Sequence, residues 1–424
     1  MNEFTQNTPV VEKKHSNGAL ALFLIVLLPM PFCLFIYNFI VWSTEQSAIA
    51  SSSMKQLAWA GFIGLGVQIF LMSLVFGLLW YLTRDDRFKG WYASLLAASL
   101  FGIPALLLRA LGPNNDQLGS ILQFVIAVIV ALAVIYIRKD KLVWDFSALP
   151  FGFLVAALGF APLAVYGSFG SPADVVLSLF AGLAFGLLAA VLMSDAENIF
   201  LNGIGAGGLL ALLASSFGYD GSQLILVVLV PAFGCAIAAL YPSRAAATVA
   251  AGLLAFAGLA FFDPTELTIV LGDIGGLAVK AVGIALLIGW GVSVVALILR
   301  QVMGSGSTSG VKRAAGWVGA VAGWVMVIAA FFIWGNPGNY SDRLFVIFKD
   351  QADISDVASI KNRDERLTEA YMRLTDHANK TQADLRETLD TFGVAYTPYY
   401  LENAMEVQGG ALVRLFLMTR SEVD

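Results

Sequence analysis

About eleven apolar runs, each long enough to cross a bilayer, constrain this chain more than anything else in it. A hydrocarbon layer about 30 Å thick takes about 20 residues of helix at about 1.5 Å per residue. The runs fall at residues 19–42, 57–82, 91–111, 118–137, 149–166, 175–193, 199–217, 224–241, 245–262, 277–299 and 314–334. Those at 199–217 and 245–262 are the weakest, both short and rich in Gly or Ala. Backbone in lipid must satisfy its own hydrogen bonds, so these runs fold as helices. Charged residues are only 13% of the chain and apolar ones 58%. Soluble domains carry roughly a quarter charged residues, so two or three soluble domains are excluded and a polytopic α-helical membrane protein is expected.

The loops give the helices a direction. Residues 1–18 form a polar leader, expected to be disordered and cytoplasmic, with Lys13, Lys14 and His15 just before the first run. A signal peptide is the competing reading, but the run at 19–42 exceeds the usual apolar region and lacks a small-x-small exit. It is expected to be a retained helix kinked at Pro29 and Pro31. Alternate loops then collect the basic residues: Arg84, Arg87 and Lys89; Arg138, Lys139 and Lys141; Arg244; Arg300, Lys312 and Arg313. The positive-inside rule places that set and the N-terminus in the cytoplasm, and an odd number of spans places the C-terminus outside. The loop at 194–198 belongs to the cytoplasmic set yet is acidic through Asp195 and Glu197; acidic residues weigh little in this rule. A Gly/Ser linker at 304–310 precedes the last helix. The expected organisation is a leader at 1–18, a helical bundle at 19–335 in the plasma (inner) membrane, a linker at 336–342 and an extracytoplasmic domain at 343–424.

Composition also narrows the chemistry. The chain has a pI near 5.2 and no basic stripe, so nucleic acid is not an expected partner. Cys33 and Cys235 fall in apolar spans and read as small buried hydrophobes. His15 and His377 are the only histidines and lack ligand-spaced partners, so no metal or other cofactor is expected. Tyr219-Asp220 and Gly272-Asp273 resemble in part the paired aspartates of intramembrane aspartyl proteases. That family has Gly where Val270 stands, and both aspartates sit at expected outer loop ends, so they read as ordinary loop carboxylates. Lys280 and Arg109 lie near span ends and read as snorkelling cations. Gly182 and Gly186, Gly203 and Gly207, and Gly319 and Gly323 have the small-xxx-small spacing that lets helices approach closely.

The stretch from 341 onward differs from the rest: it holds 25 of the 55 charged residues and accounts for the whole net charge of −5. RLFVIFK at 343–349 reads as a strand. The segment 361–392 carries Leu367, Tyr371, Leu374, Ala378, Leu385, Leu389 and Phe392 as one apolar stripe on a charged helix, with Gly393 suited to φ > 0 after it. Strands are expected at 394–400 and 404–407, with a turn at 401–403 between them. A short apolar helix follows the Gly409-Gly410 break, at 411–419. This is most of a split β-α-β-β-α-β unit. FVIFKD at 345–350, YTPYYLENAMEV at 396–407 and LFLMTRSEV at 415–423, in this order around the helix, resemble the propeptide/inhibitor domain of subtilisin-type serine peptidases. The resemblance covers about the last eighty residues.

That resemblance implies a ferredoxin-like α+β fold, here lacking its last strand, since the sequence stops at 421–424 where that strand should begin. It implies that the exposed sheet face meets a peptidase domain, as a folding chaperone and inhibitor. The contacting residues are then expected on the second and third strands: Tyr396, Pro398, Tyr400, Asn403, Met405 and Val407. The implied partner is a subtilisin-type peptidase domain, in cis or in trans, the chain being the non-catalytic front part of such a peptidase. No Ser-His-Asp set is legible in the chain itself. The alternative is a multi-pass transport or scaffold protein with a C-terminal docking domain.

Overall fold

The computed structural model describes residues 17–50, 54–109, 116–138, 144–167, 172–195, 198–218, 221–261, 274–303, 310–335 and 343–423. The expected leader up to residue 16, the linkers at 304–309 and 336–342, and the aspartates Asp220 and Asp273 lie outside them.

All eleven expected runs are helical in their described parts. The first is α1 (Asn17–Leu27) with α2 (Met30–Ala50), parted where Pro29 and Pro31 interrupt the ladder. Next come α3 (Met54–Leu82) and the pair α4 (Asp86–Leu100) and α5 (Gly102–Arg109). After these run α6 (Asp116–Ile137), α7 (Leu149–Tyr166), α8 (Pro172–Leu192), α9 (Ile199–Ala214), α10 (Ser222–Ala232), α11 (Gly234–Leu240) and α12 (Arg244–Ala260). The block closes with α13 (Ile274–Met303) and α14 (Gly310–Trp334). Among the described residues, eight runs are long and apolar enough to cross a membrane, and this is a multi-pass helical membrane protein by that measure. The pair α10 and α11 is bent by 58°, and α9 and α12 are shorter apolar helices. The bent pair taken as one span would make nine.

The short helices have a physical reason to be short. All of α9 except Ile199 and Phe200 is buried, so protein surrounds it and its length need not match the hydrocarbon. Glycine makes the close packing there possible. A Cβ on Gly182 would lie 2.6 Å from Gly252 O and Phe256 N of α12. One on Gly186 would lie 2.5 Å from Gly252 N.

The bundle has two distinct ends. At one, Arg138 Nη1 donates to Val191 O at 2.9 Å, and the Arg244 guanidinium donates to Ala190 O. The Tyr241 hydroxyl reaches Met193 O at 3.0 Å. These donors satisfy the last carbonyls of α8, and the two cations complement its dipole. Ser243 donates to the Asp145 carbonyl at the same end. Phe23 of α1 stacks 4.6 Å from Phe88, which follows Arg87 at the start of α4, so the chain enters here. At the other end, a Cβ on Gly335 would meet Ala164 O at 2.7 Å, and one on Gly167 would meet Phe261 Cβ at 2.7 Å. The last long helix therefore leaves the bundle at the end opposite the basic residues.

The C-terminal domain is a three-stranded antiparallel sheet covered on one face by helices. Its strands are β1 (Arg343–Ile347), β2 (Tyr396–Tyr399) and β3 (Ala404–Gln408), in the order β1-β3-β2. Val346 stands opposite Met405, and Tyr396 opposite Val407. The helices are α15 (Arg363–Thr381), α16 (Ala383–Thr391) and α17 (Ala411–Met418). Asn362 caps α15, its Oδ1 accepting from Asp364 N at 3.0 Å. Gly393 takes φ +65° and ends α16 as expected. Val346, Phe348, Leu385, Leu389, Met405, Val407 and Leu417 form the core. The single helix expected at 361–392 is two helices meeting at Gln382, whose side chain turns into the core to bond Asn403, Tyr399 and Ala404. The only sign of a further strand among the described residues is one antiparallel bridge, Phe348 to Val423, on the free edge of β1.

Candidate functional site

Strand alternation divides the C-terminal sheet into a helix-covered face and an open one. Leu344, Val346, Met405 and Val407 point to the helices. Arg343, Phe345 and Ile347 of β1, Thr397 and Tyr399 of β2, and Glu406 and Gln408 of β3 take the opposite parity and form the open face. Phe345 is 57% exposed and Tyr399 40% exposed, and their rings lie 5.7 Å apart across the sheet. Glu406 stands opposite Phe345 on one side and Thr397 on the other. It accepts from the Tyr399 hydroxyl at 3.2 Å and pairs with Arg343 at 3.6 Å. The bond to Glu406 holds the Tyr399 hydroxyl above its ordinary pKa, so it stays a donor. The arrangement is an exposed aromatic pair with a polar rim, a composition enriched at protein interfaces.

The structure corrects most of the expected contact residues. Met405 and Val407 are wholly buried under α16 and α17, because β3 points its odd-numbered residues at the helices. Asn403 is buried in the β2–β3 turn, where its Nδ2 donates to Asp350 O and Thr381 Oγ1, both at 2.7 Å. Tyr396 is partly buried against the core, and its hydroxyl donates to Asp390 at 3.2 Å. Burial first and Asp390 second raise its pKa. Pro398 is exposed but stands opposite Met405, on the helix side of the outer strand β2. Tyr400 is exposed past the end of β2, with its ring 5.3 Å from Tyr371 of α15. Tyr399 and Glu406 stand one step of parity from residues expected on β2 and β3, and Arg343 and Phe345 lie on β1, where none was expected. The available signal was the aliphatic set Val346, Met405 and Val407, which marks the inward positions.

Among the described residues, the membrane block offers no comparable constellation. A cleft of about 590 Å³ between α2, α10 and α13 is lined by apolar residues, among them Phe32, Phe35, Pro231 and Trp290. Lys280 is exposed, as a snorkelling cation should be. Of the two cysteines expected to be buried, Cys33 is exposed on the outside of the bundle and Cys235 is half-buried. Among the described residues no three His, Cys, Asp or Glu side chains converge on a point that could hold a metal ion. His377 Nε2 lies 3.1 Å from Asp350 O and ties α15 to the end of β1. No family model, curated protein or solved structure matches this chain.

Proposed function

We propose that this chain is a membrane-tethered docking module whose C-terminal domain binds a subtilisin-type serine peptidase domain, carried in cis or in trans, and chaperones or restrains it. The observation that carries the reading is the open sheet face with its Phe345–Tyr399 pair, set on a β-α-β-β-α unit. The strand order β1-β3-β2, with the Val423 bridge on the outer edge of β1, is what a ferredoxin-like domain requires of its first three strands and the start of its fourth. Topology supports it as well. Eleven crossings, counting the bent pair and the two short helices, run from the basic end to the opposite one. The positive-inside rule then sets the domain on the outer side of the plasma (inner) membrane, where exported peptidases fold.

Co-expression of the full chain with a subtilisin-type peptidase domain tests this. The chain should raise the yield of folded peptidase or suppress its activity. Replacing both Phe345 and Tyr399 by Ala should weaken the association by about 2–4 kcal/mol, as for hot-spot aromatics at an interface. Unchanged yield, activity and binding with and without the chain would sink the reading.

A second reading, a transport or scaffold protein with a docking tail, draws on the 58° bend between α10 and α11. Discontinuous helices line substrate paths in many transporters. Here, though, Phe233 fills the break and Ser293 Oγ donates to the freed Ala232 carbonyl at 2.9 Å.

A further inference from the structure

The helix α17 is apolar on both sides. Val413, Phe416 and Leu417 pack inward on the sheet. Leu412, Leu415 and Met418, one turn apart along the opposite side, are 55%, 52% and 71% exposed. Three large apolar side chains in one exposed stripe mark an interaction surface. Its place in the fold says what covers it. The helix packs against α14, the last long apolar helix. Gly410, which caps α17, lies so close to the end of α14 that a Cβ on it would be 3.7 Å from Gly335 O. Trp334, the last residue of α14, is exposed with Ile333 beside it, and a Trp at a span end marks the depth of the headgroups.

We propose that α17 is an interfacial helix: its Leu412–Leu415–Met418 stripe rests in the headgroup and upper acyl region of the bilayer, beside the point where α14 emerges. The stripe lies on a helix packed against the end of α14, beside the exposed Ile333 and Trp334, so the occupant is the lipid surface and not a second protein. Interfacial helices bury an apolar face in this way while lying in the membrane plane. One consequence concerns the sheet. Because α16 and α17 cover one face, seating α17 on the lipid turns the open face with Phe345 and Tyr399 away from the membrane. The inference stands whether or not the partner of that face is a peptidase.

The test uses the full chain in phosphatidylcholine/phosphatidylglycerol nanodiscs, with Cys33 and Cys235 replaced by Ala. Single cysteines introduced as Leu415→Cys, Met418→Cys and Phe345→Cys carry an environment-sensitive fluorophore. A lipid-borne spin label just below the headgroup should quench the probe at 415 and at 418 several-fold more than at 345. Iodide in the water should show the reverse order. Equal iodide access at all three sites would overturn the proposal. So would probes at 415 and 418 that are shielded from iodide yet untouched by the lipid label, since a protein would then cover the stripe. Two sites read the same surface, so a local disturbance at one does not decide the result.

Discussion

Asn403 holds the C-terminal domain together from a turn. Its Nδ2 reaches Asp350 O and Thr381 Oγ1, its Oδ1 accepts from Gln382 Nε2 at 2.8 Å, and its backbone N–H donates to Gln351 Oε1 at 2.9 Å. One buried side chain thus joins the loop after β1, the α15–α16 junction and the β2–β3 turn. Asn403→Ala would remove three side-chain hydrogen bonds from this junction, each contributing about 0.5–1.5 kcal/mol. Amide hydrogen exchange of β3 in the full chain should quicken on the order of tenfold or more, while Glu402→Ala next door, on an exposed residue, should leave it alone. Unchanged exchange in Asn403→Ala would show that the network contributes nothing. Asn403 was expected as a contact because it opens the 403–407 stretch that the resemblance sets against a peptidase. Only tertiary packing reveals that three elements converge on it. The same limit explains Met405 and Val407: a strand pattern marks two faces, and which one the helices cover is settled one residue at a time.

Among the elements, those set by hydropathy were legible and those set by side-chain pairing were not. Each of the eleven apolar runs is helical in its described parts, and three fall short of a full span: the two judged weakest, at 199–217 and 245–262, and the bent run at 224–241. The junction at Gln382 was hidden, because a polar residue in a charged helix reads as surface until its amide is seen to reach β3. Glycine spacing was legible as close packing but not as to which glycines matter. Gly186 abuts the backbone of Thr248 and Gly252, which cannot yield, whereas Gly283 has no atom within 4 Å of where a Cβ would stand. Both are helical, so intrinsic propensity alone would favour Ala at each by about 1 kcal/mol. Gly186→Ala should instead cost about 1–3 kcal/mol through overpacking, and Gly283→Ala should be neutral or stabilising. Thermal unfolding of the purified chain in detergent separates the cases. Equal shifts in melting temperature would mean that α8 and α12 are not packed as closely as described.

For the whole molecule, the decisive feature is that the chain enters and leaves the bundle at opposite ends. Phe23 packs beside Phe88 at the end where Arg138 and Arg244 cap α8, and Gly335 lies beside Ala164 at the other. An odd number of crossings is what this arrangement predicts, eight of the runs passing as spans by length and apolarity. The short helices α9 and α12 and the bent pair supply the difference, because burial inside the bundle frees them from matching the hydrocarbon thickness. Charge then decides which end faces which compartment. Cysteine labelling measures both points in one experiment, with Cys33 and Cys235 replaced by Ala. A membrane-impermeant maleimide on intact cells should label Glu387→Cys, on the exposed side of α16, without permeabilisation. Phe146→Cys, exposed beside the basic end, should react only after permeabilisation. The reverse order would invert the orientation and place the open sheet face among cytoplasmic partners, out of reach of an exported peptidase. Labelling of both sites from one side would contradict the odd number of crossings itself, and with it the seating of the C-terminal domain at the end opposite the arginines.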